Sequence, residues 1–418
     1  MAARSKNDAL TGARAIAGIY ILFLHFGAPL FLHAPQWAKT LRESGYISTS
    51  FFLMLSGFVL TYAYGQKLVD GRIDRRHFLI QRISRLYPSY LLALALMVPF
   101  TFMHRLDAHA MAFGDARLRW KVLTGLLHAT MSHVWFPRFV TSWNIPGWCV
   151  SCEMWFYLAF PVAVVWALGR STRTLWTTLA ALWGVALTLS IGYTIVRPDG
   201  VVAHIDTTAF YLSLYKFSPP ARIAEFLFGV MLGAIYARLP EGKRLEKWAT
   251  PTLAFGGLCV LAILLDAGNI PYAMLHDGAL LPLYGVIVWA LMAGYGPIHR
   301  VLATKPLVKM GDASYQLYIL QVPLMMWLVT LSGRTYGYDS QDAKFSSFAL
   351  PTVIACALAI QHFFQPRAQE FMKAQLEKHW PKATPSSVPT IELPLAPVPV
   401  GPQPAPVIEL PPTQPLLS

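Results

Sequence analysis

The sequence predicts an all-α fold, a polytopic bundle of about ten membrane-spanning helices with both termini cytoplasmic. Three observations carry this expectation. The 418-residue chain is 55% hydrophobic and only 13% charged, where a soluble domain would carry about a quarter charged residues. Its apolar residues gather in runs of the length needed to cross about 30 Å of hydrocarbon. Its basic residues fall in short clusters between alternate runs, as topology signals do.

Taken in order, the spans are expected at 12–33, 46–64, 83–103, 148–168, 174–195, 221–238, 250–266, 272–294, 311–331 and 346–365. The first run is too long for a signal peptide and lacks a small-residue cleavage site, so it reads as a helix that stays. Arg4 and Lys6 precede it, and Lys67, Arg72, Arg75, Arg76 and Arg82 follow the second span. Arg170 and Arg173 follow the fourth, and Arg238, Lys243, Arg244 and Lys247 the sixth. Arg300, Lys305 and Lys309 follow the eighth, and Arg367, Lys373 and Lys378 the tenth. Ten crossings put every one of these clusters on the cytoplasmic side.

The outer connectors are then 32–45, 103–147, 196–220, 267–271 and 332–345. Only the second is basic, with Arg105, Arg117, Arg119, Lys121 and Arg138. Its stretch 122–131 is too short to span and is expected as an interfacial or re-entrant helix. Using it as an eleventh span would send Arg170 and Arg173 outside, against the charge rule. From 381 to 418 the chain carries twelve prolines and almost no charge, a composition for an extended, disordered tail. The chain therefore divides into a membrane domain, 1–380, and a cytoplasmic tail, 381–418.

The net charge of +13 is scattered among these clusters, which excludes a basic nucleic-acid-binding domain. Cys149 and Cys152 have CxxC spacing but no thioredoxin-like context, and read as two small apolar helix residues. No metal site is expected.

Against this apolar background a few polar residues stand out. Arg14 and His25 lie eleven residues apart in the first span, three helical turns, so they share one face about 16 Å apart. Placing an Arg near the centre of lipid costs roughly 2.5–3.5 kcal/mol, so this face should line a protein interior or a wet cavity. Arg82 and Arg85, three apart, share a face at the expected start of the third span. Paired guanidiniums there suit phosphate groups, but from charge alone anchoring to anionic membrane lipid accounts for them better. Glu153 sits inside the fourth span and must be neutral, paired or facing a wet cavity. Arg222 and Glu225 read as a structural ion pair. Asp312, Ser314, Tyr315, Tyr318 and Gln321 open the ninth span and read by themselves as a polar helix contact. Outer aromatics (Trp135, Trp143, Trp148, Tyr211 and Tyr215) suit stacking on sugar faces, as they suit an interfacial belt.

Several motifs in order resemble the membrane acyltransferase-3 family. They are Arg14-x10-His25, Phe51-Phe52-Leu53-Met54-Leu55-Ser56-Gly57-Phe58, Arg82-x2-Arg85-x2-Pro88, Trp148-x4-Glu153-x2-Phe156-Tyr157, Glu225-Phe226-x2-Gly229 and Ser314-Tyr315-x2-Tyr318. The resemblance covers residues 11–365. It implies a multi-pass inner (plasma) membrane enzyme that moves an acyl group, commonly acetyl, from acyl-CoA to a hydroxyl of a sugar or glycan. It implies that Arg14 and His25 are essential, that Glu153 belongs to the active site, and that Arg82 and Arg85, with Arg75 and Arg76, serve the coenzyme. Trp148, Tyr157, Ser314 and Tyr315 are assigned to substrate binding. Acyl-CoA enters as co-substrate, and no permanently bound cofactor is expected.

The ninth-span motif often continues to a His, where this chain has Gln321, so that position is given no catalytic role. In the expected mechanism His25 is the general base, with a transient acyl-histidine as a second route. Glu153 orients the imidazole or binds the acceptor, and Arg14 holds the coenzyme or polarises the carbonyl. A competing class is a glycan or lipid-intermediate transporter or flippase, which explains the intramembrane charges without chemistry. A membrane sensor or scaffold gains support only from the tail.

Overall fold

A computed structural model describes residues 7–102, 118–204, 207, 209–239, 246–294, 296–334 and 342–380. The tail 381–418 and Arg4, Lys6, Arg105, Arg117, Lys243 and Arg244 lie outside the described residues.

The helices are, in order, α1 (Asp8–Phe26), α2 (Gln36–Glu43), α3 (Ile47–Val69), α4 (Arg75–Phe102), α5 (Leu118–Ala129), α6 (Gly147–Leu168), α7 (Thr172–Val196), α8 (Phe210–Phe217) and α9 (Pro219–Ala237). Then follow α10 (Ala249–Leu265), α11 (Tyr272–His276), α12 (Leu281–Ala293), α13 (Pro297–Leu302), α14 (Lys305–Asp312), α15 (Ser314–Leu331), α16 (Ala343–Ala359) and α17 (Gln365–His379). No strand occurs among the described residues. Each of the ten expected segments is helical. Among the described residues nine helical stretches are long and apolar enough to cross a membrane, and the tenth, Ala249–Leu265, is a shorter apolar helix of 17 residues. The protein is an all-α polytopic membrane bundle.

Three boundaries differ from expectation, each for a local reason. The first apolar run continues to residue 32, but α1 stops at Phe26, where the Gly27 N–H bonds back to the Phe23 carbonyl. Pro29 then sits in a 3-10 turn, Ala28–Phe31, and its missing N–H and ring forbid further α-helix. At its start α1 is capped by the Asn7 side chain, which accepts from the Leu10 N–H at 2.9 Å. The connector 32–45 holds α2, a helix too short to show in a span-length window. Finally, α4 begins at Arg75 rather than near residue 83, so Arg82 and Arg85 lie about 10 and 15 Å inside the helix and not at its start.

The basic clusters meet at one end of the bundle. Arg238 donates to the Leu168 carbonyl at the end of α6 (3.1 Å) and Arg76 to the Glu377 and Trp380 carbonyls at the end of α17 (3.1 Å for Glu377). These cations cap helix C-termini, where orphan carbonyls and the macrodipole favour them. Midway along α4, Tyr87 and Tyr90 donate to the Ala129 and His128 carbonyls, seating α5. That helix, in the stretch expected to be interfacial or re-entrant, exposes Leu118, Val122, Leu123 and Leu126. Much of α7 and α10 is likewise exposed and apolar (Trp176, Ile195, Phe255, Leu258), surface that only lipid covers without cost.

The most extensive packing in the core is between α3 and α9. A Cβ on Gly229 would stand 1.9 Å from the Met54 carbonyl oxygen, and one on Gly57 would stand 2.1 Å from that of Phe226. Two backbones this close need glycine at both points, the usual device where lipid supplies no hydrophobic drive. Gly57 precedes nothing polar, but its neighbour Ser56 is aimed by this contact into the bundle. Gly229→Val should lower stability by about 3 kcal/mol, the upper range of overpacking. Gly257→Val on α10, with nothing within 4 Å of its Cβ, should leave the unfolding midpoint of the detergent-solubilised protein unchanged.

Candidate active site

Five helices converge on one cavity with about 860 Å³ of empty space, its mouth included. Arg14 comes from α1, Ser56 from α3, Arg82 and Arg85 from α4, Glu153 and Tyr157 from α6, and Ser314, Tyr315 and Tyr318 from α15. Helical spacing explains the grouping. Arg82 and Arg85 are one turn apart, as are Glu153 and Tyr157, and Ser314 and Tyr318, so each pair presents one face. Pro88, one turn beyond Arg85, removes the backbone donor that would bond the Ser84 carbonyl and loosens α4 beside the arginines.

The polar contacts hold this wall in place. Arg14 Nη2 donates to Ser314 Oγ at 3.0 Å. Ser56 donates its hydroxyl to Glu153 Oε1, and Tyr157 also bonds to that carboxylate. Arg82 is buried, stacks on the Tyr64 ring with 4.7 Å to its centroid and donates to the Tyr64 hydroxyl, while its Nε has no partner. Tyr315 donates to the Leu86 carbonyl at 2.5 Å, tying α15 to α4. Arg85 is exposed, and its guanidinium makes no hydrogen bond or salt bridge to a described residue. Arg14 feels the charges of Arg85, Asp312 and Glu153. Three guanidiniums thus share the cavity wall with one carboxylate, already engaged by two hydroxyls, while Asp312 acts on Arg14 from outside the lining. The cavity is electropositive and suits an anion.

His25 stands apart from this lining. It lies in the last turn of α1 beside Gln321, and the residue is exposed. Gln321 donates its amide to the Tyr318 carbonyl at 3.0 Å, and Tyr318 lines the cavity. Gln321 is seven residues into α15, about 10 Å along it, with ten further residues beyond, so the truncated α1 leaves His25 part-way through the bundle. The residue beside the imidazole is Gln321, which sequence reasoning set aside. Glu153, expected to orient the imidazole, is held instead by Ser56 and Tyr157.

Other expected site residues lie elsewhere. Trp148 is buried against the Arg222 guanidinium (5.6 Å) and Phe217 (5.1 Å), not in the cavity. Arg75 and Arg76 begin α4, and Arg76 is spent on the end of α17. Among the outer aromatics, Trp143, Trp148 and Tyr215 are buried and Trp135 and Tyr211 exposed. Cys149 and Cys152 are free, buried thiols. Cys149 lines the cavity, and the Cys152 thiol donates to the Phe217 carbonyl at 3.2 Å.

Arg222 anchors a separate buried network. Its Nη2 meets Glu225 at 2.9 Å and Ser50 Oγ at 3.1 Å, and its Nη1 meets the His276 ring at 2.9 Å, with Asp277 at 3.7 Å. The ion pair with Glu225 read from the sequence is present, and His276 and Asp277 enlarge it. Their signal was a His-Asp pair at the head of an apolar run, which no helical repeat with Glu225 could link. Removing one partner of such a buried set strands charge, so Arg222→Leu should cost about 3–5 kcal/mol in chemical unfolding. Breaking the exposed Arg72–Asp70 pair should leave that transition in place.

Comparison with known proteins agrees with this geometry. Residues 7–361 match the model of a family described as an acyltransferase domain. The chain is 23% identical over 349 residues to the acyltransferase MdmB of Streptomyces mycarofaciens, covering 82% of this chain and 86% of that one. It is 22% identical over 327 residues to the O-acetyltransferase OatA of Staphylococcus aureus, covering 76% of this chain and 50% of OatA. A protein of the picA locus of Rhizobium radiobacter is 42% identical over 91 residues, 22% of this chain and 44% of that one. No solved structure matches. The chain belongs to the acyltransferase-3 family and is an acyl-transferring membrane enzyme.

Proposed function

We propose that this enzyme is an O-acyltransferase that moves an acyl group, acetyl in the simplest case, from acyl-CoA to a hydroxyl of a saccharide. The protein would lie multi-pass in the inner membrane with its basic end cytoplasmic. The observation that carries the reading is the cavity with Arg14, Arg82 and Arg85 on its walls and one carboxylate, Glu153. Guanidiniums hold phosphates through bidentate, charge-assisted bonds, and a coenzyme diphosphate entering from the basic end would meet Arg85 and Arg82 first. OatA is named an O-acetyltransferase, which supports a hydroxyl acceptor.

With the phosphates so held, the thiol arm points along α1 toward His25. The acceptor oxygen attacks the thioester carbonyl as its proton passes to His25. Gln321 orients the ring, while Arg14, three turns away on the same helix face, holds the coenzyme. The C–S bond then breaks, and the coenzyme thiolate takes up a proton as it leaves. Glu153, fixed by Ser56 and Tyr157, offsets the arginines so that the empty site folds without three unopposed charges.

Radiolabelled acetyl-CoA and purified enzyme in lipid vesicles test this directly. His25→Ala should lower transfer to saccharide about a hundredfold or more, the range of a lost general base. Transfer at the wild-type rate would contradict the assignment. Arg85→Ala should raise KM for acetyl-CoA about tenfold with the acceptor KM unmoved, as losing a hydrogen bond to a charged group costs about 1.5–3 kcal/mol. An unchanged donor KM would remove Arg85 from the coenzyme site.

A further inference from the structure

A second, larger cavity opens at the end of the bundle opposite the basic clusters, with about 1220 Å³ of empty space, its mouth included. Its walls come from α2 and the turn after it, from the end of α7, and from the connectors 201–204 and 267–271. None of these residues belongs to the cavity of the arginines.

The lining has a definite chemical character. Tyr46 and Tyr272 present aromatic faces, their centroids 4.6 Å apart and tilted by 54°. Around them stand the amides of Gln36 and Asn269, the hydroxyl of Thr40 and the carboxylate of Glu43. Glu43 is paired with Arg42 at 2.7 Å, and Arg197, whose Nε donates to the Thr194 carbonyl at 3.4 Å, is the one guanidinium in the lining. Val201, Val202, Ile270 and Pro271 add apolar surface, so the lining is mixed, and one guanidinium falls short of the clustered cations an anion would need. Aromatic faces ringed by neutral donors and acceptors suit a pyranose, whose C–H face stacks while its hydroxyls bond to amides.

The cavity is preformed and lies close to the reaction line. Asp199 accepts from the Tyr193 hydroxyl at 3.0 Å and from the Tyr211 and Leu212 N–H groups at 3.0 and 2.7 Å, fastening one wall. The opposite wall rests on the last turn of α1. Arg42 donates to the Leu24 carbonyl at 2.9 Å, one residue from His25, and Gly45 packs on Tyr20 and Leu24. On the floor Tyr46 stacks over His276 at 5.9 Å, and Trp148 lies beyond it at 6.3 Å. The next residue, Cys149, already faces the arginine cavity.

We infer that this second cavity is the acceptor seat, binding a neutral oligosaccharide and presenting a hydroxyl toward His25 from the side opposite the coenzyme. This inference rests on the acyl-transfer reading for its role but not for its test. The full-length protein in lipid nanodiscs is titrated calorimetrically, without acyl donor, with four neutral tetrasaccharides built from glucose, N-acetylglucosamine, mannose or rhamnose. At least one should bind, with affinity lowered about tenfold in Tyr272→Ala and severalfold in Asn269→Ala. Asn269 is exposed, so its variant keeps the fold even where Tyr272→Ala does not. Failure of all four to bind, or binding untouched by both substitutions, would overturn the seat and leave the acyltransferase standing. Saccharide binding by a protein that transfers no acyl group would sustain the seat and overturn the reaction instead.

Discussion

A guanidinium inside a lipid-crossing bundle has to find an anion or water, and that constraint organises this protein. The chain meets it in two opposite ways. Arg222 is fully buried with Glu225, Asp277, His276 and Ser50 around it, so its charge is answered entirely by the protein. Arg14, Arg82 and Arg85 line one cavity whose wall carries a single carboxylate, Glu153, and Arg85 forms no salt bridge among the described residues. The first arrangement is a staple between α9, α11 and α3. The second is a vacancy for negative charge, and this difference marks one cluster as structural and the other as a site.

The rest of the fold serves that vacancy. Glycine contacts at Gly57 and Gly229 bring α3 and α9 together backbone to backbone, which fixes the face on which Ser56 meets Glu153. Pro29 ends α1 early and leaves His25 exposed in its last turn beside Gln321, although the apolar run itself would have carried the helix further. The His25 imidazole and the Arg14 guanidinium therefore sit at different depths along one helix. Such separation fits a reaction whose two substrates approach from opposite ends.

Much of this was legible in the sequence, where the physics is local. Ten apolar runs became ten helical segments, because run length and charge clustering are properties of contiguous residues. The pairing of Arg82 with Arg85, and the place of Glu153, Tyr157, Ser314 and Tyr315 on one cavity, followed from helical spacing and family motifs together. What stayed hidden depends on contacts between distant segments. Trp148 sits in a recognised motif but packs on Arg222, 74 residues away. The start of α4 at Arg75 was masked by its charged first turns, which read as loop. The cavity around Tyr46 and Tyr272 joins four segments, none of which carries a signal alone.

The central claim is that the three arginines hold the phosphates of an acyl-CoA while its thioester reaches toward His25. A cryo-electron-microscopy structure of the full chain with a non-hydrolysable acyl-CoA analogue tests it most directly. The account predicts phosphate density within hydrogen-bonding distance of Arg82 and Arg85, and the thiol arm running past Arg14 and Glu153 toward Gln321. Coenzyme density at any other place, with this cavity left without it, would contradict the account.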